Sequence, residues 1–289
     1  MPDQFLEEYR QKEVKNLRKM KTFENCWPTW LARMRIATSD FSDAEAIWGL
    51  GGQLSDVFRS TGQGRTQSSQ SGGGAAWEAL VCWYLNVAFA GTTAIAFKQK
   101  KTIVPKTIFD AATVKYGNYK TNTESDVCVL VLPSDVKFGN QRKAIDKLDH
   151  AVRERLGETH LAIIQCKTNW NDNAQIPMLW DMVYQGNYPE KSNVRIGTAG
   201  VTIKKMASFR YSFVVVPTVK ADFTSASMAV HRIRGLTGGN YWGQPSKSGV
   251  AQSLSEIFTD NFDYAFPGTV QKSINSAISD NLIRPLCGF

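Results

Sequence analysis

The sequence predicts an α/β fold in which a central mixed β-sheet is flanked by helices on both faces. Three apolar runs indicate buried strands, namely DVCVLVLP (126–133), LAIIQCK (161–167) and SFRYSFVVVPTV (208–219). Their apolar residues are largely continuous instead of alternating with polar ones, which is typical of strands buried on both faces. Helical patterns separate the runs, so helices should cover the sheet on either side.

The N-terminal third should be mostly helical. Residues 3–21 mix apolar and charged residues in a helical pattern, and residues 26–60 suggest two or three short helices. Residues 61–74, TGQGRTQSSQSGGG, are rich in Gly, Ser and Gln, which indicates a flexible loop or linker. The segment 75–89 is apolar on nearly all sides and should form a buried helix, and residues 93–106 a strand pair or a strand and a loop.

The remaining elements alternate between helices and strands. We expect a charged surface helix over 139–157, a helix over 174–185, a polar glycine-rich excursion over 232–249, and closing helices near 252–262 and 269–283. The length suits a single domain over 1–289, with a helical elaboration and flexible loop over 1–71.

Composition narrows the classes of function. The chain has 289 residues, 43% hydrophobic and 21% charged, a net charge of +8 and a pI of about 9.2. The basic excess favours an anionic partner, nucleic acid before membrane, although a solubilising surface is the simpler explanation. No signal peptide or membrane-spanning stretch is visible, so we expect a soluble, cytoplasmic protein.

Cysteine and histidine usage argues against structural disulfides and zinc. Five cysteines occur without a CxxC pair, and Cys82, Cys128 and Cys166 sit inside apolar runs, as buried thiols in a reducing compartment do. The three histidines are scattered along the chain, so a zinc site is not expected. The glycine-rich stretch does not match a Walker phosphate loop.

Three isolated charges stand out in apolar surroundings. Glu78 lies on an apolar helical face, Asp126 opens one strand, and Lys167 ends the next. If these strands are neighbours, Asp126 lies close to Lys167 and to Gln165, which shares its face. A buried charge needs a partner, and these oxygens, with the Cys166 main-chain carbonyl, suit magnesium. A structural Lys167–Glu78 ion pair, with Asp126 as a turn residue, is the alternative.

The order of these residues resembles the PD-(D/E)xK nuclease superfamily, and within it the type II restriction endonucleases. In that family an acid begins one strand, a (D/E)xK tripeptide ends the next, and a preceding helix often supplies a glutamate. Here Ser125–Asp126, the tripeptide QCK (165–167) and Glu78 match these elements, over a catalytic core of residues 72–220. Gln165 stands in place of the usual acid, so the metal should be bound less tightly.

The resemblance implies Mg²⁺-dependent hydrolysis of double-stranded DNA by a homodimer, without a nucleotide cofactor. Asp126, Gln165 and the Cys166 carbonyl would hold the metal, Lys167 would position the attacking water, and Glu78 would bind a second metal or fix Lys167. Two-fold symmetry of a dimer would match a palindromic site. Residues 221–289 would supply DNA recognition and C-terminal helices.

Residues 231–249 are the best candidates for reading bases, although a surface loop with capping residues is equally consistent. Arginine can contact guanine, and asparagine or glutamine can contact adenine. The candidates for DNA contact are Asn169, Asn171, Arg232, Arg234, Asn240, Gln244 and Lys247.

Other classes of function remain as alternatives. One is a nuclease that recognises DNA structure, and another is a non-catalytic DNA-binding protein whose site has decayed. A metabolic enzyme is disfavoured because the chain lacks a glycine-rich cofactor loop, a nucleophile elbow and a His-centred triad.

Overall fold

The fold is a mixed α/β arrangement around one principal β-sheet. The computed structural model describes residues 4–61, 70–98, 104–122, 126–168, 193–216, 224, 226–237, 239–241, 254–262 and 270–288. The predicted helix over 174–185 lies outside these residues. Within them, no helix has the length and apolar character needed to cross a bilayer.

The helices come mainly from the two ends of the chain. Their bounds are α1 Gln4–Arg18, α2 Lys21–Ala37, α3 Ala44–Arg59, α4 Gln70–Ala88, α5 Lys106–Ala111, α6 Ala144–Glu154, α7 Met228–Leu236, α8 Leu254–Phe262, α9 Val270–Ser279 and α10 Ile283–Cys287. The predicted buried helix over 75–89 is the larger part of α4, and residues 26–60 form two long helices. The predicted surface helix over 139–157 is present as the shorter helix α6. Along the chain it lies between the apolar runs 126–133 and 161–167.

The strands form two sheets. Their bounds are β1 Ala94–Lys98, β2 Thr113–Tyr116, β3 Tyr119–Asn122, β4 Val127–Val131, β5 His160–Lys167, β6 Val194–Ile196, β7 Ser208–Val215 and β8 Gly239–Tyr241. The main sheet has the order β1-β4-β5-β7-β8, and the smaller one the order β3-β2-β6. In the main sheet β1, β4 and β5 are antiparallel neighbours, whereas β5, β7 and β8 run parallel. The predicted mixed sheet is confirmed.

Both faces of the main sheet are covered. Along β4, Val127, Val129 and Val131 pack in the core formed with α2, α3 and α4, while Cys128 and Leu130 pack in the core formed with α5, α6 and the smaller sheet. Every residue of β4 is buried. The continuous apolar run therefore results from burial on two faces, as the sequence indicated. The five cysteines are all buried and unpaired.

Two boundaries differ from the sequence-based expectation. The glycine-rich segment 61–74 is not a loop throughout, because α4 already begins at Gln70. Residues 231–236 belong to α7 instead of a polar excursion, since Val230 and Ile233 anchor that helix on the sheet. In residues 231–236, packing against the core outweighs weak local helix propensity.

Among the described residues, side chains of two helices cover the outer edge of β1, and no further strand pairs with it. Asn86 of α4, which is fully buried, donates to the Ala96 carbonyl at 2.9 Å and accepts from the Ala96 N–H at 3.2 Å. Arg10 of α1 donates to the Ala94 carbonyl at 2.8 Å and pairs with Glu7. An uncovered edge strand invites pairing with another chain, and these contacts protect the edge of β1 against it.

We expect Asn86→Leu to lower the free energy of unfolding by about 2–4 kcal/mol, because it leaves the N–H and C=O of Ala96 buried without partners. Denaturant unfolding measures this loss. The control Asn275→Leu, at an exposed position of α9, should change stability by no more than about 0.5 kcal/mol. Equal stability of the two variants would contradict this role for Asn86.

Candidate functional site

The pairing register of β4 and β5 brings the predicted acid and lysine together. Val127 is opposite Ile164, so Asp126, one residue earlier, comes level with Gln165 at the end of the ladder. Gln165 follows Leu161 and Ile163 on one face of β5, and Lys167 continues that face. The isolated charges at the ends of the two apolar runs therefore meet at one end of the main sheet.

Asp126 is held by three contacts, all to its Oδ2 atom. The Gln165 side-chain amide donates to it at 2.5 Å and the Cys166 main-chain N–H at 2.8 Å. Lys167 Nζ lies 3.6 Å away as an ion pair. The Asp126 carboxylate precedes β4 in the chain but is held by residues of β5. These contacts fix its position more precisely than that of an ordinary turn residue.

Burial makes this carboxyl group unusual. Loss of water raises the pKa of Asp126 from 3.8 to about 7, with Lys167 lowering it and the charge of Glu78 raising it further. The Asp126 side chain is 13% exposed and that of Lys167 24%. A strongly shifted acid beside a partly exposed lysine is a common feature of functional sites, although buried structural pairs show it as well.

Gln165 is the most deeply buried member of the site. It is fully buried, and no described residue donates a hydrogen bond to its Oε1 atom. A buried acceptor without a donor costs about 1–3 kcal/mol. The Gln165 amide therefore donates a hydrogen bond to Asp126 through its nitrogen, whereas its oxygen is left unsatisfied. This oxygen is the clearest unsatisfied polar atom in the site.

Glu78 pairs with a lysine that the sequence analysis did not single out. Lys98 Nζ, at the end of β1, lies 2.7 Å from Glu78 Oε2 and 3.4 Å from the Ala75 carbonyl. The two side chains are 13% and 19% exposed, and Glu78 still raises the pKa of Asp126. The alternative of a Lys167–Glu78 ion pair is wrong: Lys167 pairs with Asp126.

A signal for Lys98 was present in the sequence. Lys98 ends the apolar run AIAF just as Lys167 ends LAIIQC. Because β1 and β5 both flank β4 and are antiparallel to it, their last residues lie at the same end of the sheet. The polar residues QKK follow Lys98 directly, so this lysine does not stand out in the sequence as an isolated charge the way Lys167 does.

The candidate DNA contacts are only partly within the described residues. Asn169, Asn171, Gln244 and Lys247 lie outside them. Arg232 and Arg234 are exposed on α7, and Asn240 lies in β8. Helix α7 packs on Phe213 and Val215, which are the register partners of Gln165 and Lys167 in β7. The two arginines therefore belong to the helix that covers the strand beside the site.

Few side chains at the site could act as ligands for a metal ion. Among the described residues, no group of three His, Cys, Asp or Glu side chains is placed to hold a metal ion. The oxygens at the site come from Asp126, Gln165, Glu78 and the main chain. No protein-family profile matches this chain, and no curated protein is similar to it in sequence.

We expect Asp126→Asn to stabilise the protein increasingly as the pH rises from about 4 to 8. The folded-state pKa of Asp126, about 7, lies above its ordinary value of 3.8, so the folded state binds the proton more tightly and loses stability as pH rises through this window. Asparagine keeps an acceptor for Gln165 and Cys166 but has no proton to lose.

Chemical denaturation in EDTA measures the effect. Relative to its effect at pH 4, the substitution should add about 1–3 kcal/mol at pH 8. A difference between the two proteins that stays constant across this range would show that Asp126 is not perturbed.

Proposed function

We propose that this protein is a magnesium-dependent type II restriction endonuclease of the PD-(D/E)xK superfamily, which hydrolyses both strands of DNA at a short sequence. The observation that carries the proposal is the contact of Asp126 with both Gln165 and Lys167. An acid before one strand and a lysine ending its neighbour is the arrangement that the resemblance requires. The mixed sheet with helices on both faces agrees with it.

The side chains fit a divalent cation in kind, with less charge than usual. Gln165 Oε1 is buried and unsatisfied, and the hydrogen bonds described for Asp126 all go to Oδ2. Hard oxygen donors of this type suit Mg²⁺. Asp126, Gln165 and the Cys166 carbonyl would hold the ion, and Glu78 acts on Asp126 through its charge. A bound Mg²⁺ would offset negative charge on the scissile phosphate.

Lys167 would position the attacking water. Its ammonium group faces Asp126 at 3.6 Å and remains partly exposed, so it can contact both a water molecule and a phosphate oxygen. The water oxygen forms a bond to phosphorus and releases a proton to solvent, while the P–O ester bond breaks and the departing oxygen takes up a proton from solvent. A fixed cation stabilises the negative charge that develops on the phosphate during this step.

Glu78 would act through charge and through Lys98. Their 2.7 Å ion pair places a carboxylate beside the site without contact to Lys167. Of the two roles implied for Glu78, fixing Lys167 is therefore not supported by any described contact. Binding a second cation would require Glu78 to exchange Lys98 for the metal.

A non-catalytic DNA-binding protein of the same fold is the second candidate. The Gln165–Asp126 hydrogen bond favours it, because this contact satisfies the carboxylate without a metal. A homodimer would serve either function by presenting α7 of each subunit to one half of a palindrome, with Arg232 and Arg234 near the bases.

We expect the protein to cut phage and plasmid DNA into discrete bands with Mg²⁺ and to leave them intact with EDTA. Lys167→Ala should lower the cleavage rate by about 100-fold or more, since a positioned group in proton-transfer chemistry contributes that much. Gel electrophoresis of timed digests measures both effects.

Lys12→Ala is the control, because Lys12 is an exposed lysine on α1 and its loss changes the net charge equally. It should cleave like the wild type. Retarded but uncut DNA would support the non-catalytic function, a smear or branch-dependent cutting would support a structure-specific nuclease, and a fully active Lys167→Ala would remove the site assignment.

We expect Gln165→Glu to make the site depend more strongly on magnesium. In EDTA the new carboxylate faces Asp126 where the amide now lies 2.5 Å from Oδ2, so the melting temperature should fall. Millimolar Mg²⁺ should restore it, and cleavage should need less Mg²⁺ than in the wild type.

Gln271→Glu, which adds the same charge on α9, is the matched control and should show no Mg²⁺-dependent shift in melting temperature. If Mg²⁺ fails to stabilise Gln165→Glu as well, no metal is held at Asp126 and residue 165.

A further inference from the structure

Three cations lie in one row across the smaller sheet. Lys115 in β2 is directly opposite Lys120 in β3 and directly opposite Arg195 in β6. Residues that face each other across antiparallel strands project from the same side of the sheet. The row therefore consists of three side chains, one from each strand, on a single face; it is called the cationic row below.

The cationic row faces solvent. Val114 and Ile196, which alternate with Lys115 and Arg195, are buried in the core beneath the sheet. Lys120 and Arg195 are exposed, and Lys115 is half-buried. Within the part of the chain that the structure describes, no carboxylate forms an ion pair with any of the three.

Such a row is unfavourable in the isolated protein. Like charges directly opposite each other on adjacent strands destabilise a sheet. Bound anions would remove this repulsion, which no described carboxylate relieves by an ion pair. The row is therefore better explained as a binding surface than as a stabilising one.

The spacing of the row suits a polyanion. Neighbouring strands lie about 4.8 Å apart, so the outer two cations are separated by about 10 Å at the backbone. Each strand of DNA places one phosphate about every 3.4 Å along the helix axis, so the row spans about three phosphates.

The cationic row also lies close to the candidate site along the chain. Strand β3 ends at Asn122, and Asp126 directly precedes β4 of the main sheet. Asp126 follows Lys120 by six positions, which limits the distance between their Cα atoms to about 20 Å.

We propose that Lys115, Lys120 and Arg195 bind the phosphate backbone of double-stranded DNA beside the Asp126 site. The identity of the partner rests on the proposed function. The row would contact the backbone without reading the sequence, and it would hold the duplex while α7 reaches the bases.

The test is a binding measurement that does not require cleavage. Fluorescence anisotropy with a labelled short duplex and full-length Lys167→Ala in EDTA gives the dissociation constant over a range of salt concentrations. Adding Lys115→Gln, Lys120→Gln and Arg195→Gln should weaken binding about 10-fold or more at 0.15 M salt. The slope of log K against log salt should fall in magnitude by about 2–3, because about three counterions fewer are released.

The matched control removes the same charge elsewhere. Lys12→Gln, Lys15→Gln and Lys19→Gln replace three exposed lysines of α1 and its C-terminal end. This control should bind DNA nearly as the parent does. Thermal unfolding should show that the row variant is at least as stable as the parent, since repulsion has been removed, so weaker binding would not reflect misfolding.

Each outcome separates this proposal from the nuclease assignment. Four results would each overturn the proposed role of the cationic row. They are equal losses of affinity in the two triple variants, unchanged binding by the row variant, a preference for duplex RNA, and no binding of DNA. If the wild type cleaves DNA and the row variant binds DNA as tightly as its parent, the nuclease function stands and only the role of the row is rejected. A row-dependent complex that never cuts DNA with Mg²⁺ would retain the row and remove the nuclease function.

Discussion

The antiparallel register between β4 and β5 is the constraint on which the site depends. It sets Val127 against Ile164, and so brings Asp126 level with Gln165 and within reach of Lys167. A slip of one residue would turn Gln165 and Lys167 to the opposite face, into the core under α4. Burial of both faces makes such a slip costly, since apolar side chains on either face would lose their packing.

That register also explains the electrostatics of the site. Two ion pairs gather at one end of the main sheet, Asp126 with Lys167 and Glu78 with Lys98. Lys98 shares the face of Ala96, under α4, whereas Gln165 and Lys167 share the face of Ile163. The strand ends thus carry one pair on each face, and the charge of Glu78 still acts on Asp126.

The buried polar groups at the main sheet differ in how fully their hydrogen bonds are satisfied. Asn86 and Arg10 are fully buried, and their hydrogen bonds close the edge of β1. Gln165 is buried equally deeply but leaves Oε1 without a partner. A polar atom that a fold buries and does not satisfy needs another explanation, and a ligand at the strand ends supplies one.

The sequence by itself determined which segments become buried strands, that the sheet is mixed and covered on both sides, and that three isolated charges need partners. Continuous apolar runs and charges in apolar surroundings are local properties, readable without coordinates. Only the tertiary structure decided which partners meet: Asp126 pairs with Lys167, and Glu78 with Lys98. The short strands β2, β3 and β6 and the helical state of residues 231–236 were likewise decided by packing against distant residues, because short segments carry too little local preference to specify their own structure.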